Sequence, residues 1–303
     1  MARPLFLPLV AAACGIATFS IMDALMKRAS IEAGVHAALL WRNIIGAGIG
    51  IVVWQIVHPR AWPGRRMVMH AMRASVTSGM AFAFFWGIVR TPMAVGMALS
   101  FIAPIIALFM AGFALGEAIT RRALGASALG LLGVGVIGLG RMQSGGAMEP
   151  QAWQGMAAIL GSAVLYAANL VMQRHQAQMA PPAEIAFFQS LFTAMFLALA
   201  GLMVGLPPVP QGEVWRDIGG AAGLSFVSLM LLSWGWARAP AHRLLPVEYS
   251  AFLWAALMGW IWFGERLDIY TLGGAALVVA GCWVGAGGHE GGQKGDHTEQ
   301  VGL

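Results

Sequence analysis

Charge is scarce in this sequence. Asp, Glu, Lys and Arg together make up 10% of its 303 residues, where a water-soluble domain carries about a quarter. A soluble shell cannot be built from so little, and the apolar surface left over would aggregate. Cysteine occurs only twice. Cys14 and Cys282 lie in apolar stretches near opposite ends of the chain, so a disulfide framework or a zinc site has no support. Both read as small membrane-core residues. The seven histidines, His36, His58, His70, His175, His242, His289 and His297, are scattered. No nucleophile–His–acid set, metal cluster or phosphate loop emerges. Gly135-x-x-Gly138 lacks the preceding strand that a nucleotide loop needs. The sequence therefore calls for no catalytic residue, metal or cofactor, and it argues against an ATP-driven pump within this chain. Ten-residue alternating segments of a membrane β-barrel are also absent.

What is present is apolar. Hydrophobic residues make up 59% of the chain, and the mean hydropathy is +0.73. The charges gather in short breaks between apolar stretches long enough to cross a bilayer as helices. Ten such segments are expected: Leu5–Met26, Val35–Val57, Val68–Val89, Met93–Leu115, Ala123–Leu139, Trp153–Met172, Glu184–Gly205, Ile218–Ala237, Val247–Phe263 and Leu272–Gly285. His58-Pro59, Pro63-Gly64, Pro181-Pro182 and Pro207-Pro208 mark boundaries, because proline cannot continue a helix ladder. The first segment mimics a signal peptide but runs past Cys14 to Met22, longer than an h-region, and reads as a retained helix. The Gly-rich polar stretch 288–303 reads as a disordered tail.

The two halves of the sequence repeat. Shifted by 148 residues, Trp86-Gly87-x-x-Arg90-x-Pro92 falls on Trp234-Gly235-x-x-Arg238-x-Pro240, and Gly116-Glu117 falls on Gly264-Glu265. Over 86–133 there are 14 identities in 48 positions, where chance gives roughly 3–5, so the pattern is an internal duplication. Gly15, Met26 and Arg28 also align with Gly161, Met172 and Arg174. Residues 1–143 and 152–287 are therefore expected to be two five-helix repeats. An odd number makes the second enter from the opposite side, giving inverted topology. With the N-terminus inside, ten Lys/Arg fall on the inner side and six on the outer, Lys27 and Arg28 among the latter. That bias favours two cytoplasmic termini. The net charge of +5 is spread over these breaks without interleaved aromatics, so no nucleic-acid surface is expected.

On Ala103-Pro104, Gly116-Glu117, Gly125 and Gly133, and again on Gly264-Glu265, Gly273-Gly274 and Gly281, the chain resembles an EamA-type member of the drug/metabolite transporter superfamily. The resemblance covers roughly residues 5–286. It implies ten helices, cytoplasmic termini in the cell (inner) membrane, and a central cavity between the repeats. It implies a secondary transporter of a small organic metabolite, such as an amino acid, vitamin or nucleoside-like compound. Ala239-Pro-Ala-His-Arg-Leu-Leu-Pro246-Val-Glu248-Tyr249 is similar to a branch that includes riboflavin and S-adenosylmethionine transporters. A membrane-embedded enzyme and a non-transporting scaffold or receptor are the competing classes.

The polar and aromatic residues inside the segments are the site candidates. Glu248 begins the ninth segment, where an acid either complements the helix dipole or meets a cationic substrate group. Arg42 either snorkels, pairs with Asp23, or takes a substrate carboxylate. Asp23 is that partner or a proton carrier, the latter fitting coupling to protons or a counter-substrate. Tyr249, Trp86, Trp234 and Tyr166 are candidates to line a cavity or sit at the membrane interface. Asn169 and Gln189 offer hydrogen bonds to substrate or between helices. Glu117 and Glu265 read as structural corners. The glycine-rich fifth and tenth segments read as scaffold or a homodimer contact. A reporter active only outside the cytoplasm, fused after Leu303, is expected to stay silent; activity there would reverse the orientation.

Overall fold

Backbone amides that leave water must bond within their own segment, and helices do this locally. The computed structural model describes residues 6–57, 64–103, 105–107, 109–110, 121–143, 150–238, 247 and 250–286. Among the described residues there are ten helices and no strand: α1 (Phe6–Ala33), α2 (Val35–Val57), α3 (Arg66–Ile88), α4 (Met93–Ser100), α5 (Arg121–Gln143), α6 (Pro150–Met179), α7 (Pro182–Val204), α8 (Val214–Trp236), α9 (Ser250–Phe263) and α10 (Ile269–Ala286). Five of them, α1, α2, α6, α7 and α8, are long and apolar enough to cross a membrane. The helix α3, expected as a span, is not among these, because Arg66, His70, Arg73, Ser75, Thr77 and Ser78 crowd its first half.

Several ends differ from expectation. The helix α1 continues seven residues beyond Met26, through Lys27 and Arg28, and stops at Gly34, whose φ of 83° is open to glycine. Charge alone does not end a helix, and both cations find partners in the bundle. The helix α6 likewise runs on to Met179, just before Pro181-Pro182. The helix α4 ends at Ser100 in a turn over Phe101–Ile102; of its expected continuation to Leu115, the described residues 103, 105–107 and 109–110 are helical again, and the rest lies outside the described residues.

The helices pair across the chain: α1 with α8, α2 with α7, α3 with α6, α4 with α9 and α5 with α10. Four of these pairings run antiparallel. Gly15 meets Leu232 while Gly220 meets Leu25; Gly46 meets Ser190 while Gly50 meets Phe187. Gly79 meets Leu165 while Gly87 meets Ile159, and Gly133 meets Gly274 while Gly140 meets Tyr270. Lipid gives no hydrophobic drive for helix association, so close packing must supply it. Between α5 and α10 a side chain is missing on both surfaces: a Cβ on Gly133 would lie 2.5 Å from the Gly274 carbonyl oxygen. Outward, the bundle presents large apolar residues, with Phe6, Ile56, Leu202, Met203 and Val204 all exposed, a surface suited to acyl chains and not to water.

Gly133→Ala and Gly274→Ala should each lower the thermal midpoint of the detergent-solubilised protein, as overpacking costs about 1–3 kcal/mol. Gly135→Ala, with open space before it, should be neutral or stabilising by up to ~1 kcal/mol. Equal midpoints for all three would refute the close contact.

Candidate functional site

Buried polar groups collect at two ends of the bundle and at one place between. At the first end, Gly264 turns the chain at φ 62° and the Glu265 N–H returns to the Gly259 carbonyl at 3.0 Å. This fixes the Glu265 side chain among four helices. Its Oε2 accepts from the Met93 N–H at 2.7 Å, at the start of α4, where an unpaired amide favours an acid. Its Oε1 accepts from Lys27 Nζ at 2.5 Å. Lys27 is buried, donates also to the Thr91 carbonyl at 2.9 Å, and lies 4.6 Å from the centre of the Phe263 ring. One residue on, Arg28 forms a two-point ion pair with Asp217 in the first turn of α8. The end of α1 is thus bound to α4, α8 and α9.

At the opposite end, beside Pro181, a network joins α3, α6 and α7. Arg66, His70, Arg73 and Thr77 share one face of α3, and Asn169 and Gln176 share one face of α6. Arg73 Nε donates to Asn169 Oδ1 at 2.9 Å, and Arg73 Nη1 to Gln176 Oε1 at 2.5 Å. Thr77 Oγ1 also reaches Asn169 Oδ1, at 3.2 Å. With its oxygen taken, Gln176 donates through Nε2 to His70 Nδ1 at 2.5 Å. His70 must then carry its proton on Nε2, which faces Glu184 Oε1 at 3.1 Å. Arg66 completes the chain, 3.4 Å from Glu184 Oε2 and donating to the Met179 carbonyl at 2.8 Å.

Between these ends stand Asp23 of α1 and Arg42 of α2. Asp23 is buried and Arg42 half-buried. They form no direct ion pair; Arg42 donates instead to Met22 Sδ at 3.6 Å. The core cluster of these helices includes Met22, Met26, Phe85 and Ile88, with the partly buried Trp41, Ile45, Trp86, Met97 and Met258 packed against it.

The other candidates separate. Trp86 and Trp234 sit near the C-terminal ends of α3 and α8, and each is covered by the arginine four residues on. The Arg90 guanidinium lies 3.7 Å from the Trp86 ring and bonds the Trp86 carbonyl at 2.7 Å; for Arg238 and Trp234 the distances are 4.3 and 3.2 Å. The repeated Trp-Gly-x-x-Arg is thus a helix-end clamp. Its glycine admits a neighbouring helix, Gly87 facing Gly155 and Gly235 facing Pro8. Tyr166 packs beside Ile102, Ala103 and Ala163. Gln189 donates to Thr193 at 3.1 Å and leaves its oxygen unpartnered. Glu248, Tyr249 and Glu117 lie outside the described residues. Sequence reasoning overlooked Lys27, His70, Arg73, Gln176, Glu184 and Asp217. The stripe Arg66-His70-Arg73-Thr77, spaced four, three and four, was the available signal.

Glu265→Gln leaves Lys27 buried without its anion and should destabilise the folded protein by about 3–5 kcal/mol. Lys27→Met combined with Glu265→Gln should recover part of that loss in a double-mutant thermal-unfolding cycle. Strictly additive losses would mean that the pair is not coupled.

The EamA-like transporter family model matches this chain twice, over residues 6–139 and 153–285. Two curated relatives, each an "Uncharacterized transporter" of Helicobacter pylori, are similar: the protein of strain J99 is 27% identical over 214 residues, and that of strain 26695 is 27% identical over 210. In both cases the alignment covers 67% of this chain and 68% of the relative. A solved crystal structure aligns with a TM-score of 0.62 and 20% identity, covering 91% of this chain and 98% of its own; at that identity the likeness speaks for the fold alone. Two matches that together take in almost all of the chain, on an all-helical bundle with a lipid-suited surface, place it in a family: the chain belongs to the EamA-like transporter family.

Proposed function

We propose that this chain is a secondary carrier that moves a small organic metabolite across the cell's inner membrane by alternating access, with both termini cytoplasmic. In this reading residues 1–143 and 152–287 are two inverted five-helix repeats. The helix pairing supports it. Exchanging the halves turns the α1–α8 pair into α6–α3, which is also present, and returns α2–α7, α4–α9 and α5–α10 to themselves. A two-fold axis along the membrane normal would leave equivalent helices parallel. The residue contacts of α2 with α7 and of α5 with α10 run antiparallel, as an axis in the membrane plane requires.

Inverted halves offer two equivalent end states, one open to each side. Here the halves are not chemically equal. Under the repeat, Glu265 corresponds to Glu117, but Lys27 corresponds to Gln173. The Lys27–Glu265 bolt therefore has no charged twin. With cytoplasmic termini the bolt lies at the outer face, and it favours a resting state closed to the outside.

A thermal-shift screen of metabolites nominates ligands, and flux into proteoliposomes decides among the classes. A carrier moves a hit without altering it, an enzyme turns it over in detergent, and a scaffold does neither. In a cysteine-free background, Thr91→Cys should react several-fold faster with an impermeant thiol reagent when Lys27→Gln is added. Binding without flux for every hit would overturn the carrier; unchanged labelling would overturn the bolt.

A further inference from the structure

The network at the Pro181 end is built around a neutral histidine. The His70 and Glu184 side chains are both buried, each residue 1% exposed. Gln176 gives its oxygen to Arg73 Nη1 and its N–H to His70 Nδ1. His70 Nε2 faces Glu184 Oε1 at 3.1 Å. Phe188 stacks on the imidazole, ring centres 5.1 Å apart, and opposes the flip that would exchange its two nitrogens.

A proton on Nδ1 turns that nitrogen from acceptor to donor. It then meets the Gln176 N–H, donor against donor. The amide answers it only by turning over, and its NH2 group then points at the Arg73 guanidinium, again donor against donor. Whichever way Gln176 lies, one added proton takes a hydrogen bond from a buried seam, at His70 or at Arg73. Glu184 does not make up the loss, because it serves the other nitrogen in both states. It supplies instead the counter-charge that an imidazolium needs. Among the described residues the charges acting on the ring are Glu184 from α7 and Arg66 and Arg73 from α3 itself. From α6 come the neutral amides Asn169 and Gln176. Trp54 of α2 packs on Phe188, and the titratable residues of α2, His36 and Arg42, lie about three turns or more from it. The network reaches water at Arg66, whose side chain is 31% exposed and stands 3.4 Å from Glu184 Oε2. A proton enters from that side.

We propose that His70 is a proton-binding site that latches α3 to α6: neutral, it holds that end of the seam shut, and protonated on Nδ1, it lets the seam part. The proton comes from solution and returns to it when the latch closes, and no other bond is made. The consequence for transport rests on the carrier reading. There the Pro181 end faces the cytoplasm, opposite the Lys27–Glu265 bolt, so proton binding opens the inner side.

The test uses the full chain in detergent, with Cys14 and Cys282 replaced and Ala74→Cys as reporter, a buried position next to Arg73. Its labelling rate with a thiol reagent is divided by that of the unfolded chain at the same pH, which removes the thiol's own titration. The ratio should rise several-fold from about pH 7.5 to about pH 5.5, a window around the ordinary histidine pKa. In His70→Gln, whose amide offers one acceptor and a donor but takes no proton, the rise should disappear. It should also disappear in Gln176→Glu, whose carboxylate accepts from a protonated His70 and from Arg73 together. A flat ratio in the parent chain, or a rise that survives His70→Gln, would overturn the latch. If a variant fails to fold, hydrogen exchange over residues 169–176 of the unaltered chain, corrected for intrinsic rates, reads the same opening; protection that ignores pH there overturns the latch as well. A His70-dependent rise in a chain that moves no ligand across proteoliposomes would sink the carrier and keep the latch. Metabolite flux through a chain whose seam ignores pH would do the reverse.

Discussion

A lysine ammonium inside a helix bundle has to find oxygen, and Lys27 finds it where helices end. Helix ends and the corners beside them are where backbone carbonyls and amides lack intrahelical partners. The Thr91 carbonyl and the Met93 amide are such groups, and Glu265 joins the lysine to the amide. One ion pair therefore fixes the end of α1, the corner between α3 and α4, and the end of α9 at once. The close helix contacts elsewhere are made without side chains. Gly87 against Gly155 and Gly133 against Gly274 are surfaces that lock nothing by themselves.

The two bundle ends are polar in different ways. At the Gly264 end full charges meet, Lys27 with Glu265 and Arg28 with Asp217. At the Pro181 end the central links run through the amides Asn169 and Gln176, with Glu184 facing a histidine and a half-buried arginine. Removing a partner from either leaves a buried group unsatisfied. Only the first end depends on an unscreened ammonium at its centre.

Much of this was legible in the residues. The expected span Val35–Val57 is the observed α2 to the residue. The Trp-Gly-x-x-Arg repeat and the Gly-Glu pair at 264–265 are visible in the sequence, and their geometry explains them. Two things were hidden. Treating charge as a loop signal cut α1 short at Met26 and set Lys27 and Arg28 outside the helix, because hydropathy does not register a partner on another helix. The polar stripe of α3 is visible in the sequence, but its acceptors Asn169, Gln176 and Glu184 lie about a hundred residues away, and periodicity within a helix carries no information on which face of which helix it meets. The contrast between a satisfied Arg73 and an unsatisfied Arg42 could not come from sequence at all, since each appears there as one arginine in an apolar run.

The joint at Gly34 gives the arrangement a mechanical character. A single residue separates α1, of 28 residues, from α2, of 23, so no loop stands between them to take up slack. Lys27 and Asp23 ride on one arm of this elbow and Arg42 on the other. A tilt of one arm against the other about this joint would work as a crank, converting movement at the bundle's rim into a change in the separation of Asp23 and Arg42.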